Sequence, residues 1–189
     1  MSKRVYIIAG ANGSGKSTLA KELLKDESLT FLNADELAKE LSPNDIEKAK
    51  ISAGKRLFSL LDETMRGGRS FAIESTLSGT AHVKTIERAK AAGYDIFLIY
   101  VFLDTPDMCI ARIKGRVKKG GHFIPDEDVR RRYSRSIRNF NTIYKNLADG
   151  WFLYYNGIEP LVVANYENSN LEILNTELFA LFQEKCNDD

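Results

Sequence analysis

Gly10-Ala11-Asn12-Gly13-Ser14-Gly15-Lys16-Ser17-Thr18 decides the reading of this chain. It fits G-x-x-x-x-G-K-[ST], the phosphate-binding P-loop, a pattern that carries meaning only between a strand and a helix. Val5-Tyr6-Ile7-Ile8-Ala9 before it is an apolar, β-branched run suited to a buried parallel strand. Ser17 to Lys25 after it reads as an amphipathic helix. Glycines at 10, 13 and 15 permit positive φ and let the backbone approach a phosphate closely. The N–H groups of the loop, from Gly10 through Ala11, Asn12, Gly13 and Ser14 to Thr18, and the helix N-terminus present partial positive charge there. Lys16 is expected to reach the β- and γ-phosphates, and the Ser17 hydroxyl to ligate Mg²⁺. A nucleoside triphosphate is the implied ligand.

The 189 residues suit a single domain over 1–189, large enough to bury its own core. A net charge of +1 argues against a large nucleic-acid or membrane footprint. Cys109 and Cys186 stand far apart, with neither metal nor redox spacing. Apolar runs are strand length, and Asn12 and Ser14 interrupt any leader-like run at the start, so a cytoplasmic protein is expected.

The rest of the chain alternates strand and helix. Leu29 to Leu32 reads as a second strand, followed by a short helix that Ser42-Pro43 stops. Ile46, Ala49, Ala53, Leu57, Leu60, Leu61 and Met65 recur at helical spacing, with Asn44 or Ser42 as cap and Gly67-Gly68 as stop. Phe71-Ala72-Ile73 is a third strand, and a helix from about 81 to 92 closes at Gly93. Asp95 to Leu103 is the most apolar stretch and predicts a central strand. Pro106 suits the first turn of the next helix, with Asp104 complementing its start. After the loop 118–125, a long basic helix is expected from Asp126 to about Leu147. Two late strands flank Asn156-Gly157, and a last helix is expected from about Leu171 to Glu184.

This alternation implies an α/β fold: a parallel sheet of about five strands, covered on both faces in a three-layer α/β/α arrangement. Ligands on such sheets sit at the carboxyl ends of the strands. Asp35, Glu74 and Asp104 therefore belong on the P-loop edge.

Four further motifs follow the P-loop in order: Phe31-Leu32-Asn33-Ala34-Asp35-Glu36, the run from Phe71 to Gly79, Gly120-Gly121-His122-Phe123-Ile124-Pro125, and Arg131 to Ser136. From residue 5 to about 156 the chain resembles the zeta-toxin family of small P-loop kinases, in particular its compact chromosomal branch, also labelled predicted ABC-type ATPases. That resemblance implies a fold like the nucleotide and shikimate kinases, ATP and Mg²⁺ as cofactors, and phosphorylation of a UDP-N-acetyl sugar at a ring hydroxyl. An antitoxin protein is the kind of partner that the resemblance brings with it.

By the same resemblance Asp35 matches the catalytic aspartate, a general base for the acceptor hydroxyl; the residues alone allow equally an N-cap for the helix that follows. Glu74, with Ser75 and Thr76, matches the substrate-binding stretch. The basic run from Arg112 to Arg138 suggests a lid over about 116–132, hinged at Gly120-Gly121. Arg116, Arg131 and Arg132 are its candidates for stabilising transferred charge. Because Arg131 and Arg132 are adjacent, a helix cannot aim both at one phosphate. Arg112 is a candidate for stacking on adenine, and Asn156 for bonding to it or simply for forming the turn with Gly157. His122 reads as a positioning residue.

The leading function is ATP-dependent phosphoryl transfer to a hydroxyl of a small metabolite. A nucleic-acid-end kinase using the basic helix, and an ATP-hydrolysing switch, are the competing classes. Leu77-Ser78-Gly79-Thr80 lacks the second glycine and the glutamine of an ABC signature, which counts against an ABC-type dimer.

Overall fold

The structure, a computed structural model, describes residues 2–25, 29–43 and 45–187. The parallel strands are β1 (Lys3–Ala9), β2 (Thr30–Leu32), β3 (Phe71–Ser75), β4 (Tyr94–Phe102) and β5 (Gly150–Asn156). Two antiparallel strands, β6 (Pro160–Glu167) and β7 (Asn170–Ile173), extend the sheet to seven in the order β2-β3-β1-β4-β5-β6-β7. The helices are α1 (Lys16–Leu23), α2 (Ala34–Leu41), α3 (Ile46–Arg66), α4 (Val83–Ala91), α5 (Pro106–Val117), α6 (Asp126–Asn139), α7 (Lys145–Leu147) and α8 (Thr176–Asn187).

Alternation along the strands sorts side chains onto two faces. Val5, Ile7 and Ala9 of β1 join the large core with Leu61, Ile86, Ile113 and Phe140. Ile8 points the other way, into a smaller cluster with Leu19 and Ala20 of α1. Register then assembles one edge. Ile8 stands beside Glu74 and Leu32 beside Ile73, so the next residue of β2, Asn33, reaches the level of Glu74. The strand flanking the P-loop strand on this side is β3.

Several expected boundaries shift. The anticipated cap Asn44 lies outside the described residues, and α3 is capped by Asp45, whose carboxylate accepts the Lys48 N–H. Thr105, not Asp104, caps α5; Asp104 instead accepts a hydrogen bond from the Tyr155 hydroxyl. The long basic helix is not uniform. Phe140–Tyr144 forms a π-helical turn, and Phe140 and Tyr144 are both buried there. Phe140 stacks on Tyr100 at 4.3 Å, and the Tyr144 hydroxyl donates to the Gly79 carbonyl.

The last helix starts at Thr176 rather than Leu171. Asn168 and Ser169 take positive φ (52° and 61°) and turn the chain back into β7. A two-residue turn with positive φ at both positions matches strand twist, and it displaces the start of the helix expected from about Leu171.

Candidate active site

The three P-loop glycines do adopt positive φ: 139° at Gly10, 82° at Gly13 and 99° at Gly15. Their packing adds a second reason for glycine. A Cβ on Gly10 would sit 2.1 Å from the Val101 carbonyl oxygen, one on Gly13 2.5 Å from that of Cys109, and one on Gly15 2.0 Å from Asn156 Nδ2. The loop is pressed against β4, α5 and the end of β5.

Within the loop, Lys16 is buried (6% exposed) and its ammonium donates to the Ala11 carbonyl at 2.9 Å. Burial lowers its pKa, while Glu74 and Asp35 pull it back up. Lys16 Nζ lies 3.8 Å from Glu74 Oε1, and the Ser17 hydroxyl donates to that same oxygen at 3.0 Å. The other carboxylate oxygen accepts Asn33 Nδ2 at 2.8 Å. Glu74 thus gathers Lys16, Ser17 and Asn33.

Asn33 enters the sequence reading only within the run Phe31 to Glu36, with no role of its own. It is the N-cap of α2, accepting the Asp35 and Glu36 N–H groups at 2.8 and 3.4 Å. The cap role open to Asp35 is therefore taken by Asn33, and the Asp35 side chain stands exposed in the second position of the helix. A signal existed, since Asn33 with Glu36 three residues on has the spacing of a capping box.

Two clefts open on this edge. The larger, about 470 Å³, runs along Gly13, Gly15, Ser17 and Thr18 to Arg112, Arg116 and Asn156. The smaller, about 270 Å³, is lined by Asn33, Lys50, Ser75, Thr76, His82 and Arg132 among others. Asn12, Lys16, Asp35 and Glu74 line both. The sequence-derived residues therefore converge, with one separation. Arg132 lines the smaller cleft and donates to Asn12 Oδ1 at 3.3 Å. Arg131 lines neither and pairs with Asp128.

Other candidates carry internal bonds. Asn156 donates to the Ser14 carbonyl at 2.7 Å, bracing the loop from behind. Arg112 donates to the Asn156 carbonyl at 2.7 Å and to that of Gly157, holding the β5–β6 turn at the cleft wall. Arg116 bonds the His122 carbonyl at 3.1 Å, and Gly120 has φ of 83°. The Ser75 hydroxyl accepts the Leu77 N–H, and the Thr76 and Ser78 hydroxyls bond each other at 2.8 Å. Asp104 lines neither cleft.

His82 had no sequence signal. It lines the smaller cleft with 9% of its surface exposed, and burial pushes its pKa down to about 4. Its Nδ1 is buried without a hydrogen-bond partner among the described residues. Cys109, behind Gly13, is a buried thiol whose pKa burial raises to about 11, so it remains protonated.

A mostly parallel sheet carrying this loop at its carboxyl edge is the P-loop NTPase fold. The chain belongs to the AAA domain family, whose model matches residues 5–139. An uncharacterized protein of Haemophilus influenzae is 35% identical over 133 residues, 70% of this chain and 94% of that protein. A chain from the AvrRxo1-ORF1:-ORF2 complex superposes with a TM-score of 0.74 at 16% identity, over 98% of this chain and 64% of that one; its form with ATP gives 0.71 at 17% identity, over 95% of this chain and 63% of that one. This chain thus spans just under two thirds of their length. A chain from the PezAT chromosomal toxin-antitoxin system of Streptococcus pneumoniae gives 0.68 at 17% identity, over 98% of this chain and 86% of that one. At these identities the structural likeness speaks for the fold.

Proposed function

We propose that the chain, acting as a single domain over 1–189, transfers the γ-phosphoryl group of ATP to a hydroxyl of a small metabolite. The observation that carries this reading is the sharing of Asp35 and Glu74 between the two clefts. A nucleotide along the larger cleft would end where an acceptor in the smaller one begins.

In that reading Gly10 to Thr18 cradle the phosphates, Lys16 pairs with them, and Arg112 and Asn156 form the wall at the base. The fit for Mg²⁺ rests on the Ser17 hydroxyl and the nearby Glu74 carboxylate, 3.0 Å apart; Ser17 would hold the ion and Glu74 its water. Bound there, Mg²⁺ would neutralise phosphate charge. Asp35 takes the proton from the acceptor hydroxyl as that oxygen bonds to the γ-phosphorus. The bond from the γ-phosphorus to the bridging oxygen breaks, and ADP leaves. Glu74, Ser75 and Thr76 hold the acceptor. Arg132, and Arg116 from a lid over 116–132, offset the charge that moves; Arg131 lines neither cleft and contributes least.

The resemblance to zeta-toxin kinases supports a UDP-N-acetyl sugar as acceptor, and the likeness to chains from two complexes, one of them a toxin-antitoxin system, supports an antitoxin as partner. The basic stretch gives less support to a nucleic-acid groove. Lys114 pairs with Asp126, Arg130 with Asp107, and Arg131 and Arg132 with Asp128, so much of its charge is answered locally.

The test incubates the protein with γ-labelled ATP and Mg²⁺ against UDP-sugars, nucleosides, RNA ends and water. Label in a UDP-sugar is the expected result. Label in an RNA end would move the reading to the nucleic-acid class, and label in phosphate alone would make the protein an ATPase.

A further inference from the structure

Asn33 uses both ends of one amide. Oδ1 accepts the Asp35 and Glu36 N–H groups, while Nδ2 donates to Glu74 Oε2 at 2.8 Å. The side chain is buried, with 7% of the residue exposed. Its orientation follows from its partners: turned over, the amide would set N–H against N–H and oxygen against carboxylate.

We propose that Asn33 is a positioning residue that ties the backbone carrying Asp35 to the carboxylate of Glu74. Ser17, Glu74, Asn33 and Asp35 then form one bonded chain from the P-loop to the proposed base, crossing β1, β3 and β2. Capping alone does not require asparagine. Asp, Ser and Thr cap helices as well. Asp, however, has no donor for Glu74 when ionised, and a single hydroxyl is too short to serve both sides. The amide supplies an acceptor and a donor at a fixed separation, the pair of groups this position calls for. The role assigned to Asp35 rests on the kinase reading above; the tie between Asn33 and Glu74 does not.

The test is a double-mutant cycle read by amide hydrogen exchange at Asp35 and Glu36 in the full chain without nucleotide. Glu74→Ala should speed exchange several-fold on the wild-type background and add nothing on Asn33→Ser, which keeps a cap but loses the link. Asn33→Asp, a strong cap, serves as a second background should Asn33→Ser fail to fold. Unchanged exchange in Glu74→Ala, or the same acceleration on every background, overturns the tie. For catalysis, label transfer from ATP to UDP-N-acetylglucosamine should lose at least tenfold in kcat in both Asn33 variants, with KM for ATP within twofold of wild type. An unchanged kcat overturns the positioning role. If wild type labels no acceptor, the kinase reading fails, whereas the exchange cycle still decides the tie.

Discussion

Asn156 Nδ2 donates a 2.7 Å hydrogen bond to the Ser14 carbonyl, joining the end of β5 to the middle of the P-loop. Removing the donor leaves a buried carbonyl without its partner, which costs about 1–3 kcal/mol. Asn156→Ala should lower the free energy of unfolding, measured in urea, by that amount and weaken nucleotide binding about tenfold, measured by calorimetry with a non-hydrolysable ATP analogue.

Gly15→Ala should act through the same contact. Its φ of 99° strains any side chain, and its Cβ would fall 2.0 Å from Asn156 Nδ2, so the brace has to leave. Backbone strain of this kind costs about 1–3 kcal/mol. Because each change evicts the same bond, the double variant should be less unstable than the two single effects summed.

The neighbours Arg131 and Arg132 should separate cleanly. Both pair with Asp128, and Arg132 in addition reaches Asn12 at the cleft. Arg132→Ala is expected to cut phosphoryl transfer by about 10³-fold, the low end for an arginine that offsets transferred charge. Arg131→Ala should stay within about threefold of wild type, as expected of a surface ion pair. Equal losses would place both in the site.

Asp35→Asn should leave nucleotide affinity intact and reduce transfer by about 10²–10⁴-fold, the range for a positioned base. Its side chain does not cap α2, so the variant should unfold at the wild-type temperature.

His82 gives stability a pH signature. Its pKa is about 4 in the fold and 6.5 when unfolded, so the native state binds fewer protons between those values. Stability is fully present above pH 6.5, falls as pH drops through the window, and levels off below about 4. The loss attributable to this side chain is about 3 kcal/mol. Urea unfolding at pH 7, 5.5 and 4 should show it in wild type and not in His82→Gln.

How much of this was legible in the sequence follows from the kind of signal each residue carries. The P-loop and the five parallel strands are written in local patterns, and they are found where those patterns put them. β7 was hidden because the helical spacing of Leu174, Leu178 and Leu181 draws the expected helix back to about Leu171, while the deciding turn is Asn168-Ser169. The second bond of Asn33 depends on the β2–β3 register, and the cleft position of His82 on how α4 begins against the sheet. Neither fact exists until distant segments meet. Arg131 and Arg132 were indistinguishable for the same reason: only the packing of α6 shows which one turns toward Asn12.

The brace from Asn156 has a consequence for how the molecule comes into being. The side chain that backs Gly15 is made more than a hundred residues after the residues that define the phosphate loop. The family match itself stops at residue 139, short of it. A nascent chain that long already displays every letter of the motif without the contact that fixes its shape. Nucleotide affinity should therefore appear late in synthesis, and abruptly, when β5 takes its place beside β4.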